Sequence, residues 1–200
     1  MVRFPFGRLL CFGVVLGCAA LGFTACGDSS GGGSGLPNGA ATRAQVLRGR
    51  YLVTSSGCAD CHNRNSDDPN DPMWLAGYTP GTPGQPFEVG PFKTYPANLT
   101  PDVETGLGSW STQDIFNALR NGMDDEGAFL APPMPWPAAR NFTDDDIWAI
   151  VAYLQNIKPV HNAVPASEGP IVNGKVDWSA AYAGLKPLPS YPAGNEVDVP

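Results

Sequence analysis

The sequence is poor in charged residues, and basic residues are the scarcer kind. Only 16% of its 200 residues are charged, and 12 lysines and arginines stand against 19 aspartates and glutamates. The formal net charge of −7 excludes the broad basic surface of a nucleic-acid-binding protein. The 24 glycines and 21 prolines exclude a coiled coil, a helical repeat or a large regular sheet, because both residues interrupt regular structure. The length predicts one domain with appendages.

Cysteine and histidine are also scarce. Three of the five cysteines, Cys11, Cys18 and Cys26, lie within the first 26 residues, and only Cys58 and Cys61 follow. This distribution excludes a framework of disulfides. His62 and His161 are the only histidines.

The N-terminal 25 residues have the pattern of an export signal. Arg3 and Arg8 precede an uncharged stretch, Leu9 to Ala25, which is typical of a basic region followed by an apolar one. We expect residues 1–25 to be a signal peptide and residues 26–40, rich in glycine and serine, to be a flexible tether. The folded part is therefore expected outside the cytoplasmic membrane, in the periplasm or at the cell surface.

Cys26 stands at the junction between signal and tether. Phe23-Thr24-Ala25-Cys26 resembles the lipobox of bacterial lipoproteins, in which small residues precede a cysteine that receives lipid and becomes the mature N-terminus. The resemblance implies a signal peptide of the lipoprotein type and a lipid anchor at Cys26. An uncleaved anchor helix, ordinary cleavage, and a weaker lipobox ending at Cys18 are the alternatives.

Periodicity and capping residues predict three helices in the folded part, residues 41–160. They span 42–54, with Thr42 as N-cap; 111–122, from Ser111 to a C-cap at Gly122; and 143–157, which has an acidic first turn. Between the first two, residues 63–96 carry so many prolines and glycines that we expect a long ordered loop. The tail, 161–200, is rich in proline, carries an Asn-Gly hairpin signal at Asn173-Gly174, and is expected to pack partly on the domain.

The motif that carries chemistry is Cys58-Ala59-Asp60-Cys61-His62. Cys-x-x-Cys-His is the attachment sequence for c-type haem, in which two thiols bind the porphyrin vinyl groups and the histidine is an axial ligand of the iron. A thioredoxin-like dithiol would need a preceding strand, which the sequence does not indicate. A zinc site would need two further ligands, and His161 is the only other histidine. We therefore expect one covalent haem c on Cys58 and Cys61, with His62 on the iron.

Met134 is the best candidate for the other axial ligand. It stands in Ala131-Pro132-Pro133-Met134-Pro135-Trp136-Pro137, where prolines on both sides stiffen the chain and can hold one thioether in place. The alternatives are Met73, Met123 and His161, and a Met134 that only fills space in the core.

The order of these features resembles that of class I cytochromes c. A helix, Cys-x-x-Cys-His, a long loop, Met134 and a C-terminal helix follow one another over residues 41–160. The resemblance implies an all-α fold of short helices around one haem. It also implies that the first and last helices cross closely, with Gly49 and Tyr51 against Trp148, Val151 and Tyr153.

Four short strings are more narrowly similar to the haem domains of cytochrome subunits of bacterial membrane-bound alcohol and sugar dehydrogenases. They are Asn98-Leu99-Thr100-Pro101-Asp102, Thr105-Gly106-Leu107-Gly108-Ser109-Trp110-Ser111, Ala118-Leu119-Arg120-Asn121-Gly122 and Met134-Pro135-Trp136. This chain differs from those subunits in having one Cys-x-x-Cys-His where they usually carry three, and in an acidic insertion at 65–71.

With His62 and Met134 both on the iron, the chemistry left is one-electron exchange. We expect a membrane-tethered electron carrier with no catalytic residues, whose partners are an exported dehydrogenase, another cytochrome or a terminal oxidase. One alternative is a haem enzyme or sensor with an open or displaceable sixth site. The other is an electron-transfer subunit of a dehydrogenase or oxidase complex.

Overall fold

The computed structural model describes residues 36, 39–63 and 66–188. The predicted signal peptide, Cys26 and most of the predicted tether lie outside these residues. The helices are α1 (Arg43–Ser55), α2 (Cys58–His62), α3 (Thr112–Asn121), α4 (Trp136–Ala139) and α5 (Asp144–Gln155), with 3-10 turns at Leu107–Ser109 and Ser179–Tyr182. Two antiparallel pairs accompany them, β1 (Phe87–Val89) with β2 (Phe92–Thr94) and β3 (Ile171–Val172) with β4 (Lys175–Val176). Among the described helices, none has the length and apolar character needed to span a bilayer.

The three predicted helices are confirmed, together with their caps. The Thr42 hydroxyl accepts a hydrogen bond from the Gln45 backbone N–H, and the Gln45 side chain accepts one from the Thr42 backbone in return. Ser111 makes the same reciprocal pair at the start of α3. That helix ends at Gly122, whose left-handed φ of 68° suits glycine because it has no Cβ. Thr143 caps α5 by accepting a hydrogen bond from the third residue of the helix.

The described part of the chain is mainly helical, as expected, but it is not all-α, because two small hairpins interrupt the irregular regions. The first, β1–β2, lies inside the stretch 63–96 that the sequence predicted to be a loop. The second forms at the predicted Asn-Gly turn, where Asn173 and Gly174 both have positive φ. The last helix also ends at Gln155, two residues earlier than predicted, where the side-chain amide of Asn156 donates to the Ala152 carbonyl.

The helices α1 and α5 cross at Gly49, as predicted. A Cβ placed on Gly49 would lie 1.9 Å from the Ala149 carbonyl oxygen and 2.7 Å from the Tyr153 Cβ, so only glycine allows this approach. The prediction was wrong for Tyr51, which is 61% exposed and lies beneath the Arg48 guanidinium. The residues of α1 buried in the core besides Gly49 are Leu52 and Val53.

A buried asparagine joins the segment after β2 to the end of the domain. The Asn98 side-chain amide donates to the Val160 carbonyl oxygen at 2.8 Å, and its oxygen accepts from the backbone and hydroxyl of Thr100. The backbone N–H of Leu99 donates to the Leu75 carbonyl oxygen. Because these polar groups are satisfied while buried, the chain around residue 98 is held at one position in the core.

Candidate haem-binding site

The short helix α2 presents both thiols of the motif. It begins after Gly57, which has a φ of 72°, and it places Cys58 and Cys61 three residues apart, so that both lie on one face. Burial raises the pKa of Cys58 to about 11 and also raises the pKa of Cys61. In thioredoxin-like dithiols the thiol pKa is shifted in the opposite direction. Among the described residues there is no group of three or more His, Cys, Asp or Glu that could hold a metal ion.

His62 is buried and its ring is held by one hydrogen bond. Its Nδ1 lies 2.7 Å from the carbonyl oxygen of Ala97, which can only accept, so Nδ1 carries the proton and donates. Burial lowers the pKa of His62, which keeps the imidazole neutral. The lone pair of Nε2 is then available to a metal ion, and the bond at Nδ1 fixes the ring orientation as in other histidine-ligated sites.

The loop after the motif wraps back onto it. The Gly77 backbone N–H donates to the His62 carbonyl at 2.8 Å, and the Gln85 side-chain amide donates to the Cys61 carbonyl at 2.6 Å. A Cβ on Gly77 would lie 2.6 Å from the Ala97 backbone, so glycine is required for this approach as well. The sequence did not predict these hydrogen bonds. Their acceptors are backbone carbonyls, which every residue has, and nothing distinguishes Gln85 from other polar residues of the proline-rich loop.

Met134 lies in the connection between α3 and α4. Its backbone N–H donates to the Ala131 carbonyl at 3.3 Å, and the connection is pinned to the end of α3 because Leu130 donates to the Gly122 carbonyl at 2.8 Å. On the other side of Met134, the indole of Trp136 is buried against Gly122, where a Cβ would lie 2.1 Å from the ring. The half-buried Met134 side chain is thus carried on a backbone that is fixed at both ends.

The other candidate ligands have different surroundings. Met123 lies in an isolated antiparallel bridge with Phe129, and the Met73 backbone N–H donates to the Asp71 carboxylate. The His161 side chain is 63% exposed and lies 3.5 Å from Asp102 and 3.6 Å from Glu104. A cleft of about 470 Å³ is lined by part of the acidic insertion with Trp74 and Tyr153, and none of the predicted haem-binding residues contributes to it.

The donor set suits haem c. Two thiols on one helix face can form the thioether bonds, and an adjacent neutral imidazole with a free Nε2 can ligate the iron. Met134 offers a thioether for the second axial position, the ligand that cytochromes c pair with histidine. Cys58, Cys61 and His62 could therefore hold the group, and Met134 stays the predicted further ligand.

Comparisons with known proteins match one family of proteins. The family model for cytochrome c matches residues 46–158, more than half of the chain. A nicotinate dehydrogenase subunit of Pseudomonas putida is 34% identical over 131 residues, which are 65% of this chain and 10% of the relative. The fructose dehydrogenase cytochrome subunit of Gluconobacter japonicus is 33% identical over 65% of this chain and 25% of its own length. The cytochrome c subunit of the alcohol dehydrogenase (quinone) of Gluconobacter oxydans is 33% identical over 140 residues, which are 66% of this chain and 26% of the relative.

The chain thus spans about a quarter or less of the length of these curated relatives. The resemblance that the motifs indicated, to cytochrome subunits of membrane-bound dehydrogenases, is confirmed. The matched region contains Cys58, Cys61, His62 and Met134, together with the crossing of α1 and α5. The chain therefore belongs to the cytochrome c family, whose domain carries haem c and transfers electrons.

Proposed function

We propose that this protein is a single-haem electron carrier, tethered to an extracytoplasmic membrane face, in which His62 and Met134 are the two axial ligands. The observation that carries the proposal is the hydrogen bond from His62 Nδ1 to the Ala97 carbonyl. That bond directs the proton to the nitrogen that does not ligate and leaves Nε2 for the iron. The single Cys-x-x-Cys-His in the sequence supports one haem.

Haem c, when bound, supplies one reversible one-electron step between ferric and ferrous iron. The protein's own residues then determine where that step occurs and at what potential. Cys58 and Cys61 would hold the group covalently, so it would stay with the chain in both oxidation states. The carbonyl of Ala97 makes the His62 imidazole more basic and prevents its rotation. Met134 would supply a thioether, which would favour the ferrous state relative to a second histidine and would keep oxygen and peroxide from binding the iron.

The proposed electron donor is an exported dehydrogenase, and the acceptor is another cytochrome or a terminal oxidase. The names of the three relatives describe them as a dehydrogenase subunit and two dehydrogenase cytochrome subunits, which supports a donor of this class. The net charge of −7 favours a partner with a basic docking face. Attraction of this kind weakens as salt is added, because the screening length shortens.

The carrier proposal predicts fast electron exchange without substrate turnover. The full chain, produced in a host that attaches c-type haem, should retain one haem after denaturation and extraction. It should be oxidised and reduced reversibly by small mediators and should not bind carbon monoxide when native and reduced. A variant with Cys58 and Cys61 both changed to alanine is the control for covalent attachment. Sustained peroxidase turnover by the intact protein would overturn the carrier proposal and favour a haem enzyme.

The tether proposal predicts a lipid on Cys26. Mass spectrometry of the membrane fraction should find a mature N-terminus at acylated Cys26, because the uncharged segment before it ends in small residues and a glycine-rich segment follows. Cys26→Ser should release the protein from the membrane, whereas Cys18→Ser, the matched control, should leave it bound. A water-soluble wild-type product with an unmodified N-terminus would contradict the prediction.

A further inference from the structure

Tyr182, far from the haem motif in sequence, contacts both ends of the segment that carries Met134. Its hydroxyl donates to the Leu130 carbonyl oxygen at 3.1 Å, before Met134 in the chain. Its ring packs edge-on against Trp136, which follows Met134, with centroids 4.9 Å apart. The ring of Phe129 lies 5.5 Å away on the earlier side. One side chain therefore spans the Met134 segment from its beginning to its end.

The position of Tyr182 is itself fixed by contacts with the β1–β2 hairpin. Trp178, in the same 3-10 turn region, is buried, and its ring packs edge-on against Phe92 of β2 with centroids 5.4 Å apart. Earlier in the tail, Glu168 and Lys93 exchange two backbone hydrogen bonds of 3.0 and 2.7 Å. We call residues 168–182 the strap, since it is bonded to the hairpin at one end and to the Met134 segment at the other.

The hairpin that anchors the strap also supports the haem motif. Gln85, two residues before β1, donates to the Cys61 carbonyl. Ala97, three residues after β2, accepts the hydrogen bond from His62. The strap thus connects the part of the chain that orients His62 with the part that carries Met134, although the two parts are separated in sequence by α3.

We propose that the strap holds Met134 in place for ligation and that Tyr182 is its positioning residue. The inference rests on the proposed function, since it requires Met134 to be the axial ligand. A thioether is a neutral, weak ligand, and its retention depends on how little conformational freedom is lost when it binds. A backbone fixed at Leu130 and Trp136 by the same side chain has already lost that freedom, so an external ligand competes poorly with Met134.

The test is the affinity of the ferric protein for imidazole, which must displace Met134 to bind. Tyr182→Phe removes the hydroxyl, and with it the hydrogen bond to Leu130, but keeps the ring; it should raise the affinity about fivefold, equivalent to about 1 kcal/mol. Tyr182→Ala also removes the packing on Trp136 and Phe129 and should raise it by at least about tenfold. Both variants should weaken the charge-transfer absorption band that reports sulfur on ferric iron. Tyr51→Phe and Tyr51→Ala, at the exposed tyrosine of α1, are the matched controls and should change neither quantity.

Two further measurements distinguish the ways in which the proposal can fail. The guanidinium midpoint of unfolding is recorded for each variant, and a Tyr182 effect confined to that midpoint, with unchanged imidazole affinity, would overturn the strap proposal. Met134→Ala is measured in parallel. If it raises imidazole affinity while both Tyr182 variants match their Tyr51 controls, the strap proposal fails and the ligand assignment stands. If Met134→Ala itself has no effect, the ligand assignment fails, and the strap proposal with it. Should Tyr182→Ala not fold, Tyr182→Phe alone decides.

Discussion

Met134→Ala is expected to lower the reduction potential by at least about 0.1 V and to let carbon monoxide bind the reduced protein. Axial ligands move haem potentials over a range of roughly 0.8 V, and loss of a thioether removes a ligand that favours ferrous iron. Alanine at this position leaves no side chain that can replace the sulfur. The backbone should keep its course, because Leu130 and Trp136 hold it on either side. A redox titration with spectra of both states, followed by carbon monoxide addition, measures both effects.

Met123→Ala and Met73→Ala are the matched controls, because each removes one thioether from a half-buried site outside the Met134 segment. Neither should change the potential or admit carbon monoxide. An unchanged spectrum and potential in Met134→Ala would show that Met134 is a packing residue. A large effect in either control would instead assign the second axial position to that methionine.

Gly49→Ala should destabilise the folded protein by at least about 2 kcal/mol, although alanine is the better helix former. Replacing glycine within a helix ordinarily gains about 1 kcal/mol. Here the added Cβ would lie 1.9 Å from the Ala149 carbonyl oxygen, so α1 and α5 must separate. Overpacking of this kind typically costs about 1–3 kcal/mol and more where backbone must move. Because these helices make the most extensive contact of the fold, the separation would loosen the core that contains Leu52 and Val53.

Denaturant unfolding of the haem-loaded protein, followed by helical circular dichroism, measures this loss. Gly184→Ala is the control, since a Cβ there meets nothing within 4 Å and the residue does not have a positive φ. The control should unfold at the wild-type midpoint. A Gly49→Ala protein as stable as the wild type would mean that the crossing is looser than the structure indicates.

Local signals in the sequence determined the helices, the haem motif and the crossing glycine. Caps such as Thr42 and Ser111 act within one turn, so three or four residues suffice to locate a helix start. The Cys-x-x-Cys-His spacing is equally local, because α2 holds all the groups that it requires. The resemblance to class I cytochromes c then implied that the first and last helices cross at Gly49. The resemblance did not show which neighbours of Gly49 point into the core. Tyr51, which it placed at the crossing of the two helices, is exposed.

The supports of the site became visible only in the tertiary structure. His62 depends on the carbonyl of Ala97, 35 residues later, and a backbone carbonyl carries no residue-specific signal. The β1–β2 hairpin lies in residues 63–96, where the prolines and glycines predicted only a loop. Tyr182 lies 52 residues beyond Leu130, in a tail whose composition predicts little regular structure. Sequence alone determined the chemical groups of this protein, whereas the orientation of His62 and the fixing of the Met134 segment were decided by folding. Both depend on hydrogen bonds and ring contacts between residues that only the fold brings together.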